Sequence, residues 1–191
     1  MIYSDRMIND LMDRGLIKGA TRKQVNPASI NVRLGRTFLR PQHGQCVMLG
    51  MEMDYDREEV QEGGTALIMP HEFMLATTME EFTLPPDCAA FVQGRSSIGR
   101  VGLMVQNAGF VDPGFSGHIT LELKNDTCNP IWLPEGYPVA QLVFFCCSLV
   151  EHPYNGKYNG QKEATGSRMQ CDGFWPIIDL SRIPFDDVGD E

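Results

Sequence analysis

From Asn26 onward the chain is written in short apolar runs cut by glycine and proline: Ile30 to Leu34, Thr65 to Met69, Phe73 to Thr78, Ala89 to Val92, Ile119 to Leu123 and Val139 to Phe145. Runs of this length, each closed by a turn signal, suit strands, and almost no helical periodicity follows them. The expectation is a mainly β domain, closed as a barrel or packed as a sandwich. Ahead of it, Ser4 is placed to cap a short helix whose Met7, Ile8, Leu11 and Met12 share one face, and Gly15 is placed to end it.

A chain of 191 residues suits one domain with a real core and no need of metals or disulfides. No stretch is long and apolar enough to cross a bilayer, and the opening Met1 to Arg6 lacks the basic-then-apolar order of a secretory leader. A formal charge of -9 argues against a general nucleic-acid binder, which draws most of its affinity from a basic surface. An anionic ligand therefore needs a local basic patch, with a divalent cation. The six cysteines form no C-x-x-C pair and no Cys/His cluster, which gives zinc little support and fits a reduced, cytoplasmic protein. The acidic stretch Glu52 to Glu62 reads as a solvated loop. Phe174 to Ile178 reads as an apolar patch packed on the body or on a neighbouring subunit, with a loose acidic end beyond it.

Two segments carry chemistry. Gly94 to Arg100 puts two guanidiniums, two hydroxyls and several backbone N–H groups into a glycine-bounded turn, the mixture that cradles phosphate oxygens. Ala108 to Glu122 supplies two carboxylates. Alternation along His118 to Lys124 sends Ile119, Leu121 and Leu123 to the core and Thr120, Glu122 and Lys124 to the other face. Glu122 then either enters a pocket or stands exposed beside Lys124, and without the neighbouring turn the second reading is the better one. Asp112, ahead of Pro113-Gly114, sits in a tight turn, where it either caps its own backbone or orients water or a sugar hydroxyl. His152 to Gln161, rich in glycine and aromatics, reads as a mobile segment. It is either a surface loop or an arm closing over a nucleotide, with Lys157 on phosphate and Gln161 or Tyr154 on polar edges.

Together with Asn26 to Gly35, Phe82 to Pro85 and Pro138 to Leu142, these segments resemble the dCTP deaminase and dUTPase superfamily, most of all its bifunctional deaminase–dUTPase type. The resemblance covers nearly all of the chain to Arg168. It implies a homotrimer of distorted β-barrels of the dUTPase-like, β-clip type. Residues 1–168 would be a single nucleotide-binding domain that includes the closing arm, and 169–191 a C-terminal extension. Active sites would be shared between subunits, and dCTP or dUTP would enter with Mg2+ held mainly by the triphosphate, with no protein metal ligand and no zinc. Neither nucleic acid nor membrane is an expected partner.

Motif for motif, Arg95, Ser96, Ser97, Ile98, Gly99 and Arg100 would bind the triphosphate, with Ser96 and Arg100 also reaching the reacting base. Asp112 would contact the deoxyribose or its water, and Thr120, Leu121 and Glu122 would line the pyrimidine. Tyr154, Lys157 and Gln161 would belong to the arm. The H-x-E and P-C-x-x-C signature of zinc nucleobase deaminases is missing, and the family that this chain resembles deaminates without zinc; the resemblance implies that Glu122 takes the proton from water attacking carbon 4 of cytosine. Ser96 and Arg100 would steady the tetrahedral intermediate. Gly109-Phe110 stand where single-function deaminases carry His-Arg. The implied activity is therefore deamination of dCTP to dUTP coupled to hydrolysis of dUTP to dUMP and pyrophosphate, with Asp112 directing water onto the α-phosphate. The link Leu103 to Asn107 is one residue shorter than the deaminase pattern, and Gln106-Asn107 replace its usual His and Thr. A diphosphatase that releases pyrophosphate without ammonia is the rival reading, and a non-catalytic nucleotide-sensing trimer the third.

Overall fold

The computed structural model describes residues 1–105 and 109–172; Gln106-Asn107 and the Phe174 to Ile178 patch lie outside the described residues. Helix α1 (Asp5–Asp13) buries Ile8 and Leu11, with Met7 and Met12 packed at the rim of the core. Ser4 holds the N-cap position, but its side chain makes no capping bond; its carbonyl accepts the Ile8 N–H at 3.0 Å. The other end closes as expected. Gly15 adopts φ 71°, and the Gly15 and Leu16 N–H groups return to the Met12 and Leu11 carbonyls, the paired bonds of a Schellman cap.

The strands follow as β1 (Ile17–Lys18), β2 (Val25–Asn26), β3 (Ser29–Pro41), β4 (Tyr55–Glu59), β5 (Thr65–Ile68), β6 (Phe73–Thr83) and β7 (Cys88–Gly94). After a single helical turn, α2 (Ser96–Gly99), come β8 (Leu103–Val105), β9 (Phe110–Val111), β10 (Ser116–Asn125), β11 (Ile131–Pro134) and β12 (Pro138–Cys146). Each apolar run picked out in the sequence lies in one of these strands, except that Met69 falls just past the end of β5. The main sheet runs β8-β10-β6-β3-β12-β7-β9, with β1 on β6 and β2 and β4 on β3; β5 and β11 form a separate pair. The sheet curls until its ends approach, so that a Cβ added at Gly94 would lie 3.7 Å from the Val105 Cβ. Phe38, Phe82 and Phe144, from β3, β6 and β12, are fully buried inside the curl, and the removal of such large apolar side chains from water is the main force holding it.

The acidic stretch corrects one expectation, since Tyr55–Glu59 is a strand rather than a loop. It pairs antiparallel with Thr37 to Pro41 of β3, whose 13 residues run well past the apolar core segment Ile30 to Leu34. Charged edge strands resist pairing with other chains, and with much of both faces wet they leave no period-two signal in the sequence. Two buried polar groups also fasten the sheet. Glu80, 0% exposed, accepts from the Arg33 N–H at 2.9 Å, Arg33 Nε at 2.7 Å and Gln24 Nε2 at 2.8 Å. The Asn125 amide donates to the Ile68, Met69 and Asn129 carbonyls, tying the small sheet to β10. Among the described residues no helix is long and apolar enough to cross a membrane.

Candidate active site

Burial alternates strictly along β10, so Ile119, Leu121 and Leu123 enter the core while Thr120, Glu122 and Lys124 take the opposite face. That face opens on a cavity of about 610 Å³, lined by Glu122 and Thr120 together with Asp112, Tyr154, Lys157 and Gln161. The volume lies in the range of small-molecule sites. Glu122 is half-buried, and burial pushes its carboxyl above the ordinary glutamate range. Lys124 does not partner it, because the lysine ammonium donates to the His71 carbonyl instead. The exposed-pair reading of Glu122 is thereby set aside.

Asp112 opens a tight turn. Its carbonyl accepts the Phe115 N–H at 3.1 Å, Pro113 takes the second position, and Gly114 supplies φ 94°, the geometry of a type II turn. The Asp112 carboxylate is exposed and makes no hydrogen bond or ion pair among the described residues, so backbone capping does not consume it. The turn buries Phe115, whose ring lies 6.3 Å from that of Tyr154.

The segment expected to be mobile lies docked along this turn and β10. The Tyr154 N–H donates to the Pro113 carbonyl at 2.7 Å, Gly160 N–H to the Ser116 carbonyl at 2.7 Å, and His118 N–H to the Gln161 carbonyl at 2.9 Å. Two glycines make room for it. A Cβ at Gly114 would fall 2.6 Å from the Pro153 Cβ, and one at Gly117, φ 137°, would fall 2.7 Å from the Gln161 carbonyl oxygen. Thr120 Oγ1 donates to Gln161 Oε1 at 3.3 Å and accepts the Thr165 N–H at 3.1 Å. Lys157 lies 5.3 Å from the centroid of the Tyr158 ring, and the hydrogen-bonded Asp172 carboxylate holds its ammonium above the usual lysine value.

The Arg/Ser turn lies elsewhere. Ile98 is 7% exposed and pins the turn to the core, while Ser96, Ser97, Gly99 and Arg100 are open to solvent. Arg95 Nη1 donates to the Pro138 carbonyl at 2.7 Å, spending part of its guanidinium on β12. None of Arg95 to Arg100 lines the Glu122 cavity. The structure therefore brings together Asp112, Thr120, Glu122, Tyr154, Lys157 and Gln161, and leaves the phosphate-type turn apart from them in one chain. Leu121, 1% exposed, and Ile98 are core side chains that offer a ligand only their main chain. The cavity also takes Tyr55, Phe73 and the run Thr165 to Ser167, which sequence reasoning missed. Tyr55 was hidden in the acidic stretch, and nothing in the local pattern of 165–167 separates it from a loop. Among the described residues no three His, Cys, Asp or Glu side chains gather as a metal cage.

The dCTP deaminase-like family model matches residues 2–147. A "dCTP deaminase, dUMP-forming" of Persephonella marina is 39% identical over 178 residues, covering 90% of this chain and 99% of the relative. One of Aquifex aeolicus with the same description is 41% identical over 182 residues, covering 90% of this chain and 97% of the relative. The crystal structure of 2'-deoxycytidine 5'-triphosphate deaminase from Agrobacterium tumefaciens superposes with a TM-score of 0.60 at 25% identity, over 75% of this chain and 47% of that one.

Proposed function

This chain belongs to the dCTP deaminase-like family, and we propose that it converts dCTP to dUMP with release of ammonia and pyrophosphate. The observation that carries the reading is Glu122, half-buried on the cavity face of β10, with Asp112 and the docked arm around it. A carboxylate desolvated there is a better base than one in water. It takes a proton from water as the new C4–O bond forms, and passes protons to the amine as the C4–N bond breaks and ammonia leaves. Asp112, unspent on its own backbone, orients a second water onto the α-phosphorus, and the P–O bond to pyrophosphate breaks.

Magnesium fits as an ion that arrives on the phosphates. Asp112 offers one exposed carboxylate, suited to a water of the ion's shell rather than to a cage. The ion supplies charge neutralisation on the phosphate oxygens. Arg95 to Arg100 are the proposed triphosphate ligands, with Ser96 and Arg100 reaching the base. Since that turn is outside the cavity of its own chain, the reading needs the turn of a second copy, and a homotrimer with shared sites meets the need. The outward aromatic face, where Phe91 lies 4.9 Å from Phe110 and 5.2 Å from Phe145, is suited to such contact. Residues 1–168 form the proposed catalytic domain, with 169–191 an extension whose Asp172 meets Lys157. Six free cysteines suit the reducing cytoplasm.

The test is to incubate the protein with dCTP and magnesium, then with dUTP, following ammonia, pyrophosphate and every nucleotide. Ammonia and dUMP from dCTP are expected. Formation of dCMP and pyrophosphate without ammonia would overturn the deaminase reading, and binding without turnover would overturn both steps.

A further inference from the structure

We propose that Tyr55 of β4 is a positioning residue for the reaction, a latch that holds the segment Glu163 to Ser167 down and so keeps the arm over the cavity. The proposal rests on the reading of the Glu122 cavity as the dCTP site. Tyr55 meets this segment with both of its chemistries. Its hydroxyl accepts the Ser167 N–H at 3.1 Å, and Gly166 lies on its ring so closely that a Cβ there would come within 2.6 Å of Cε2. Just upstream, Ala164 is 6% exposed in a small apolar cluster with Leu39 and Leu75, against which Tyr55 and Phe73 pack. That cluster is separate from the main core and seats Ala164 against the paired Leu39 and Leu75 of β3 and β6. The Ala164 N–H donates to Thr37 Oγ1 at 3.0 Å, and Arg57 of β4 pairs with Glu163 at 2.7 Å. Glu163, Ala164, Gly166 and Ser167 are thus each held by β3 or β4.

The held segment governs the polar wall beside Glu122. Once Ala164 and Ser167 are seated, the Thr165 N–H between them fixes the acceptor side of Thr120 Oγ1, and the Thr120 hydroxyl turns its proton to Gln161 Oε1. The Gln161 amide NH2 is left without a protein acceptor among the described residues, in the wall of the cavity. Tyr55 lines both this cavity and the adjoining cleft along residues 160–168, so release of residues 163–167 from Tyr55 opens the site on the Thr120 side. The role also accounts for an aromatic residue at the head of a strand whose other side chains are all charged.

Hydrogen exchange of the segment 161–168 in the nucleotide-free protein, read beside steady-state kinetics with dCTP, tests the latch. Tyr55→Phe removes only the acceptor oxygen; Gly166→Ala drives a methyl group into the ring while leaving Tyr55 in place. Both variants are expected to speed exchange at Ser167 and to raise KM about fivefold, the value of roughly one hydrogen bond, with kcat within about twofold. Absence of protection at Ser167 in the unaltered protein, or unchanged exchange and KM in both variants, would overturn the proposal. A fall in kcat with exchange unchanged would also overturn it, by making Tyr55 a participant in the chemistry. Exchange that responds in a protein inert toward dCTP keeps the latch and rejects the substrate.

Discussion

Glu122, the proposed base, stands on β10 where one face is core and the other is cavity. Glu122→Gln keeps the shape and removes the base, so ammonia release from dCTP is expected to fall at least about a hundredfold while nucleotide binding persists. The proposed base must be ionised to act, and burial raises the Glu122 pKa. The acid limb of the kcat/KM profile is therefore expected above the ordinary glutamate range. Linkage has the matching sign. A carboxyl whose folded pKa is raised contributes stability in full below its unfolded pKa and loses it as pH rises through the folded value. Melting temperatures of Glu122→Gln and the parent, compared across that window, should shift in the variant's favour as pH rises. Arg33 plays the opposite part, as the cation that Glu80, wholly buried, cannot do without. Arg33→Ala is expected to lower the free energy of unfolding by about 3 kcal/mol, measured in urea.

The arm brings Tyr154, Lys157 and Gln161 to the cavity wall, and glycine sets where it lies. Gly117→Ala would place a methyl group 2.7 Å from the Gln161 carbonyl oxygen. The expected result is an arm that leaves β10 with the sheet intact: unchanged circular dichroism, faster tryptic cleavage after Lys157 and Lys162, and dUMP formation reduced about tenfold or more. Unchanged cleavage would count against the docked arm. The strands that pack inward were legible because alternation or a continuous apolar run records burial. β4 was not, because much of each of its faces is wet and its pairing depends on the free edge of β3, a partner distant in sequence. The docking of the arm was equally hidden. His152 to Gln161 has the composition of a loose loop, and its hydrogen bonds run to Pro113, Ser116 and His118, far away in the chain.

At the scale of the whole molecule, the separation of the Arg95 to Arg100 turn from the Glu122 cavity makes a prediction about assembly. If the turn of one copy completes the cavity of the next, Arg100→Ala and Glu122→Gln proteins are each inactive alone. Mixed after subunit exchange in equal amounts, they are expected to regain about a quarter of the parental activity, since one site in four would combine an intact turn with an intact carboxylate. Light scattering should report three chains per particle. No recovery on mixing would place the turn and the carboxylate in one chain's site after all. The sequence by itself determined the mainly β architecture, the core faces of the strands, the cap at Gly15 and the pair of chemistry-bearing segments, because these follow from local periodicity, turn geometry and residue type. Only the tertiary structure decided that Glu122 is desolvated rather than paired with Lys124, that the arm is docked on the Asp112 turn and β10, and that the arginine turn stands apart. Burial, docking and separation are properties of distances between residues far apart in the chain, and a local pattern carries no record of them.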